Sequence, residues 1–151
     1  MTENEIGDIV VPVAVSLHKE LGPGLLESVY EAVLAKMLEE RGLHVERQVS
    51  VPIIFHGIEF DEGFRADIVV ENKVILELKS VETTSKVHKK QVLTYLRLTE
   101  MKLGYLLNFG ESLMKDGIFR IINGHLIDCL ALSHRVSKSF KIFSPCPRGS
   151  V

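Results

Sequence analysis

Hydrophobic positions change their period three times along the chain. Ile6, Ile9, Val10, Val13, Leu17 and Leu21 recur every three or four residues, the spacing of a helix that buries one face, and Gly22-Pro23-Gly24 ends it. Pro12 falls inside this stretch. An interior proline removes a hydrogen bond at a cost of about 3 kcal/mol, so the pattern predicts a helix that starts near Pro12 or kinks there. Leu26, Val29, Tyr30, Val33, Leu34, Met37 and Leu38 mark a second helix, with Gly42 as its stop. From Val45 the period becomes two: Val49, Val51 and Ile53 alternate with Gln48, Ser50 and Pro52, and His56-Gly57 turns the chain into residues 58–60. Segments 64–70 and 74–80 follow as a hairpin joined by Glu71-Asn72-Lys73. Residues 86–100 return to helical spacing, 103–109 form an apolar run of strand length, and 117–122 make a short strand after a Lys115-Asp116-Gly117 turn. The order is helices, a three-strand meander, a helix and a strand, which predicts a mixed α/β domain of the α+β class over residues 1–123. Beyond Asn123 the pattern fades. Residues 125–132 fit either a strand or a helical turn, and 133–151 carry Arg135, Lys138, Lys141 and Arg148 with no acid, so 124–151 reads as a loosely ordered, partly basic extension.

Composition narrows the partners. A chain of 151 residues with 46% hydrophobic and 25% charged residues is long enough for one self-sufficient core and unlike a disordered or disulfide-built chain. Its formal net charge of -2 argues against holding nucleic acid by bulk positive charge, so a polyanion would have to be bound locally. The apolar stretch 9–15 is far shorter than the ~20 residues a bilayer requires. It follows Glu3, Glu5 and Asp8 rather than Lys or Arg, unlike a signal peptide, so no membrane association and a cytoplasmic location are expected. Cys129 and Cys146 lack the spacing and the His partners of a zinc site and read as inert thiols.

Candidate chemistry sits in the hairpin. If Glu71-Asn72-Lys73 is a three-residue loop, Val70 faces Val74 and Asp67 stands opposite Glu77, about 4.5 to 5.5 Å away, with Lys79 on the same face. Two anions so placed repel by ~3 kcal/mol at an effective dielectric of 20. A hard divalent cation, Mg²⁺ or Mn²⁺, would resolve the conflict. Ala66, Ile68, Val70, Leu76 and Leu78 would take the opposite, packed face. Two competing readings stay open: a two-residue loop would send the acids to opposite faces, and Asp67, Glu77 and Lys79 can be solvated charges on an exposed sheet face.

Asp67 followed by Glu77-Leu78-Lys79 resembles the D-x(n)-E-x-K signature of the PD-(D/E)XK nuclease superfamily, whose restriction-endonuclease-like core has this order of helix, three-strand meander, helix and strand. Gly24-Leu25-Leu26-Glu27-Ser28-Val29-Tyr30 resembles the motif for which the bacterial GxxExxY family is named. That likeness extends through Leu21-Gly22-Pro23-Gly24, Asp61-Glu62-Gly63-Phe64-Arg65-Ala66-Asp67, Gln91-Val92-Leu93-Thr94-Tyr95-Leu96-Arg97-Leu98 and Asn108-Phe109-Gly110, roughly residues 9–123. The chain departs from it at Pro12, where relatives have a small residue, and beyond Asn123, which has no counterpart.

The resemblance implies a Mg²⁺- or Mn²⁺-dependent nuclease that hydrolyses phosphodiester bonds of nucleic acid, DNA favoured over RNA, by metal-activated water. Asp67 and Glu77 would bind the ion, Glu27 would complete the metal site, and Lys79 would orient or activate the water. Gln91 and Tyr95 match the Q-x-x-x-Y pair of RecB-like nucleases, one helical turn apart and near substrate. Lys86, Lys89 and Lys90 form a basic cluster that either meets a phosphate backbone or is a solvated helix end. Each residue has a plainer role available. An acid such as Glu27 in a helix's first turn favours the macrodipole, Tyr30 and Tyr95 fit a core edge, and His18 and His88 are packed or surface residues more often than ligands. The alternative function is a catalytically inactive nuclease-fold module that binds nucleic acid or a protein partner. Stand-alone cores of this kind often dimerise, which makes a homodimer a further expectation.

Overall fold

The computed structural model describes residues 1–126, so the expectations for residues 127–151, including the basic extension and both cysteines, lie outside the described residues. Helix α1 spans Glu3–Leu21. It opens on a reciprocal cap in which Thr2 Oγ1 accepts the Glu5 N–H at 3.2 Å and a Glu5 carboxylate oxygen accepts the Thr2 N–H at 2.6 Å. Of the two expectations, a start near Pro12 is not what the chain does: the helix begins at Glu3 and carries Pro12 in its interior. Ile6 and Val10 before the proline and Val13, Ala14 and Leu17 after it enter one continuous buried stripe, while Pro12 itself is exposed. The carbonyl that loses its partner can therefore turn to water, and packing on both sides offsets the cost. Helix α2 spans Glu27–Glu40, and Gly42 leaves it in the left-handed conformation at φ +83°.

Strands β1 (Val45–Phe55), β2 (Ile58–Val70) and β3 (Val74–Lys79) form the meander, followed by α3 (Lys86–Thr99), β4 (Leu103–Asn108), the short α4 (Met114–Gly117) and β5 (Ile118–Ile122). The segments expected at 58–60 and 64–70 are one strand, and the expected turn at 115–117 falls within α4. His56 and Gly57, both at positive φ, make the two-residue loop between Phe55 and Ile58. The five strands lie in sequence order, antiparallel except for β3 and β4, which pair parallel because α3 carries the chain back across the sheet.

Two cores flank the sheet. Ile68, Val70, Val74, Leu76 and Leu78 pack with α1 and α2, whereas Val69, Ile75 and Leu106 pack with Val92, Tyr95 and Leu96 of α3. Ala66 departs from the expected alternation and joins the α3 side. The cause lies opposite Asp67, where Gln48 adopts φ +51° and the ladder passes from Arg47↔Ile68 to Val49↔Ala66. A left-handed residue re-aims a strand. Among the described residues, no helix is long and apolar enough to cross a membrane.

Candidate functional site

The hairpin loop has three residues: Val70 pairs with Val74, and Glu71 and Asn72 absorb the turn at φ +53° each. That parity brings Asp67 and Glu77 together just past the last β2–β3 pair, Ile68↔Leu76. The solvated reading fails for Glu77, which is only 4% exposed. One of its oxygens, Oε1, binds Lys79 Nζ at 2.8 Å, and the other, Oε2, is buried with no hydrogen-bond partner. Asp67 Oδ2 accepts the Leu78 N–H at 2.8 Å.

The electrostatics follow from this burial. Burial, then the neighbouring Asp67, pushes the Glu77 carboxyl up to about 7, against the pull of Lys79. Burial also raises Asp67, although the Leu78 N–H and the Lys79 charge oppose it. For the Lys79 ammonium burial acts downward, but the hydrogen bond to Glu77 and the charges of Glu77, Glu27 and Asp67 outweigh it, so the group is held protonated above its ordinary range.

Glu27 opens α2 over the end of β3. Its carboxylate accepts the Ser80 N–H at 3.3 Å, and Ser80 Oγ donates to the Leu25 carbonyl at 2.7 Å. Glu27 is close enough to act on Asp67, Glu77 and Lys79 electrostatically. Yet among the described residues no three His, Cys, Asp or Glu side chains converge as a metal-binding group. The structure thus assembles the Asp67–Glu77 pair but not the three-carboxylate set expected with Glu27.

Gln91 donates its amide N–H to the Tyr95 hydroxyl, and the Tyr95 ring stacks on Phe64. Burial, and then the nearby Glu77 and Asp67 charges, hold that phenol in its neutral form. The basic cluster divides. Lys89 lies over the Phe119 ring at 3.8 Å, while Lys90 is exposed and contributes its carbonyl to Thr94 within the helix. His18 stands 2.8 Å from the Glu111 carbonyl in the packed interior, and His88 caps α3 through Ser85, so both take structural parts. Tyr30 is also structural: its hydroxyl donates to the Gly22 carbonyl, accepts the Leu25 N–H, and its ring stacks on Phe109.

Sequence reasoning missed Glu31, Arg47 and Gln48. Glu31 is 5% exposed; its Oε1 accepts from Arg47 Nε at 2.9 Å and its Oε2 from Gln48 Nε2 at 2.7 Å. A signal existed, because Glu31 is in step with the buried Leu34, Ala35 and Leu38 and is therefore an acid in an apolar stripe.

The chain matches the profile of the PD-(D/E)XK nuclease superfamily over residues 4–121, a span that contains every one of these groups. It belongs to that superfamily. The α+β fold, with its meander and crossover helix, is the restriction-endonuclease-like arrangement of PD-(D/E)XK proteins. An A-type ATP synthase subunit of Methanospirillum hungatei is 35% identical over 102 residues, 64% of this chain. The chain spans only 17% of that protein's length. No solved structure matches. PD-(D/E)XK nucleases generally use divalent metal ions, and Asp67 and Glu77 fit one: they are hard oxygen donors, crowded together, with a buried Glu77 oxygen that nothing satisfies.

Proposed function

We propose that the chain is a Mg²⁺- or Mn²⁺-dependent nuclease of the GxxExxY type that hydrolyses phosphodiester bonds of nucleic acid, DNA in preference to RNA. The observation that carries this reading is Glu77 Oε2, buried beside Asp67 without a partner. Leaving a buried acceptor unsatisfied costs roughly 1 to 3 kcal/mol, a cost a fold does not retain without a return. Asp67 and Glu77 would hold the ion, with Glu27 beside them at the end of β3. When bound, the ion would lower the pKa of a water and polarise the phosphoryl oxygen.

The remaining work falls to the chain's own residues. Lys79, protonated and fixed on Glu77 Oε1, orients the attacking water and offsets the negative charge that develops on phosphate. Tyr95, kept neutral and held by Gln91, offers a hydroxyl to the substrate backbone. Exposed Lys86 and Lys90 supply local positive charge that the net charge of -2 does not.

Incubation of the purified chain with single- and double-stranded DNA and RNA, with Mg²⁺, Mn²⁺ or EDTA, tests the reading. Metal-dependent cleavage is expected, falling at least about a hundredfold in Asp67→Ala and Glu77→Gln, as loss of a preorganised electrostatic group does. Cleavage that survives both substitutions, or none on any substrate, would sink it. One observation favours the inactive binding module instead: Lys79 already neutralises one Glu77 oxygen, and no third ligand joins the pair among the described residues. That module would give no heat on titration with millimolar Mn²⁺.

A further inference from the structure

Consecutive residues of a strand point to opposite faces, yet Arg47 and Gln48 both reach the carboxylate of Glu31. The left-handed backbone of Gln48, φ +51°, is what allows it, and it does so where the β1–β2 ladder is interrupted opposite Asp67. A non-glycine residue adopts this conformation at an energetic cost, and such strain gathers at functional sites. Gln48 Nε2 then bridges two anions: 2.7 Å from Glu31 Oε2 and 3.4 Å from Asp67 Oδ1. The orientation of the carboxamide is unambiguous, since both neighbours are carboxylates and only the NH₂ end, with its two N–H groups, can serve both. Glu31 is itself clamped from the other side by Arg47 Nε at 2.9 Å.

Asp67 is thereby held at both oxygens, Oδ1 by Gln48 and Oδ2 by the Leu78 N–H at 2.8 Å. Each oxygen keeps a further lone pair. We propose that Glu31 and Gln48 are positioning residues for Asp67: Glu31 fixes the Gln48 carboxamide, which sets the rotamer of Asp67 and aims its free lone pairs at the space beside Glu77. The proposal rests on the metal-dependent reading of the Asp67–Glu77 pair. Outer partners of this kind orient metal-binding carboxylates, and their loss typically weakens metal affinity by about 10- to 100-fold.

The test uses Gln48→Gly, which removes the carboxamide while easing the positive φ, together with Glu31→Ala and the double variant. In metal-free protein the Leu78 amide reports the position of Asp67, because it donates to Oδ2. Its hydrogen exchange, followed by NMR, is expected to quicken about tenfold in Gln48→Gly while the Ile75 amide is unchanged. Calorimetric titration with Mn²⁺ is expected to show affinity weakened at least about tenfold. The double variant should be no worse than Gln48→Gly alone, because Glu31 acts through Gln48. Leu78 exchange and Mn²⁺ affinity within twofold of wild type in Gln48→Gly would overturn the proposal, as would strict additivity in the double variant. A wild-type chain that takes no Mn²⁺ would overturn the nuclease reading instead, and the Leu78 amide would then decide the positioning role by itself.

Discussion

In the folded chain Glu77 keeps its proton up to about pH 7, against 4.5 for an ordinary glutamate. Between those values this carboxyl binds more protons in the native state than in the unfolded one, so its contribution to stability is greatest below about pH 4.5 and is lost as pH rises through 7. This is the reverse of the usual salt-bridged carboxylate. At one unit per 1.36 kcal/mol, the loss from Glu77 amounts to about 3 kcal/mol at most, and Asp67, raised mainly by burial, adds to it with the same sign. Urea unfolding in EDTA at pH 5 and pH 8 should therefore show wild type losing more stability over the interval than Glu77→Gln; equal losses would contradict a buried, charged pair. At pH 8, adding Mn²⁺ should raise the Tm of wild type and leave that of Asp67→Ala unmoved, which differential scanning fluorimetry can check.

At the scale of elements, the ends of β3 and β4 are tied together by one side chain. Asn108, fully buried, accepts the Val81 and Gly110 N–H groups at 3.0 Å each and donates to the Val81 carbonyl at 2.9 Å and Thr84 Oγ1 at 3.0 Å. Every donor and acceptor of the amide is used. Asn108→Leu would strand these groups and is expected to cost about 3 kcal/mol in urea unfolding, where a loss below about 1 kcal/mol would refute the tie. Gly110→Ala should cost comparably, because a Cβ there would meet the Val81 backbone. The elements themselves were legible as periodicities, and the three-residue loop set Asp67 opposite Glu77. What was not legible depends on contacts between distant segments. The shift of Ala66 to the α3 side follows from a left-handed Gln48, a residue with no glycine-like signature. Which of the two readings of Pro12 holds, a helix start or a helix running through it, follows from packing on both halves of α1. Glu31 and Asn108 are polar residues whose partners lie on other elements, and periodicity does not report partners. Glu27 was legible as a motif residue, but its bond to Ser80 was not.

At the scale of the whole molecule, the tip of the β1–β2 hairpin belongs to neither core. Ile54, Phe55 and Ile58 are 68%, 62% and 59% exposed. Phe55→Lys is expected to change unfolding free energy by no more than about 0.5 kcal/mol while raising solubility, and a large loss would place the tip in a core. Beyond Ile68 and Leu76 the sheet also splits: β2 continues with β1 alone out to Ile58, and β3 continues with β4 alone up to Lys79. The acidic pair lies in the crotch of this fork, and its two prongs differ in stiffness. The β3 prong is braced by β4 and by the Asn108 knot, whereas the ribbon leans on α3 through Val49, Phe64 and Ala66. Under the proposed nuclease function, a nucleic-acid strand entering the fork is expected to shift the ribbon while the prong that carries Glu77 and Lys79 stays still. Hydrogen exchange on addition of an oligonucleotide should slow at residues 53–60 and hold steady at 74–79.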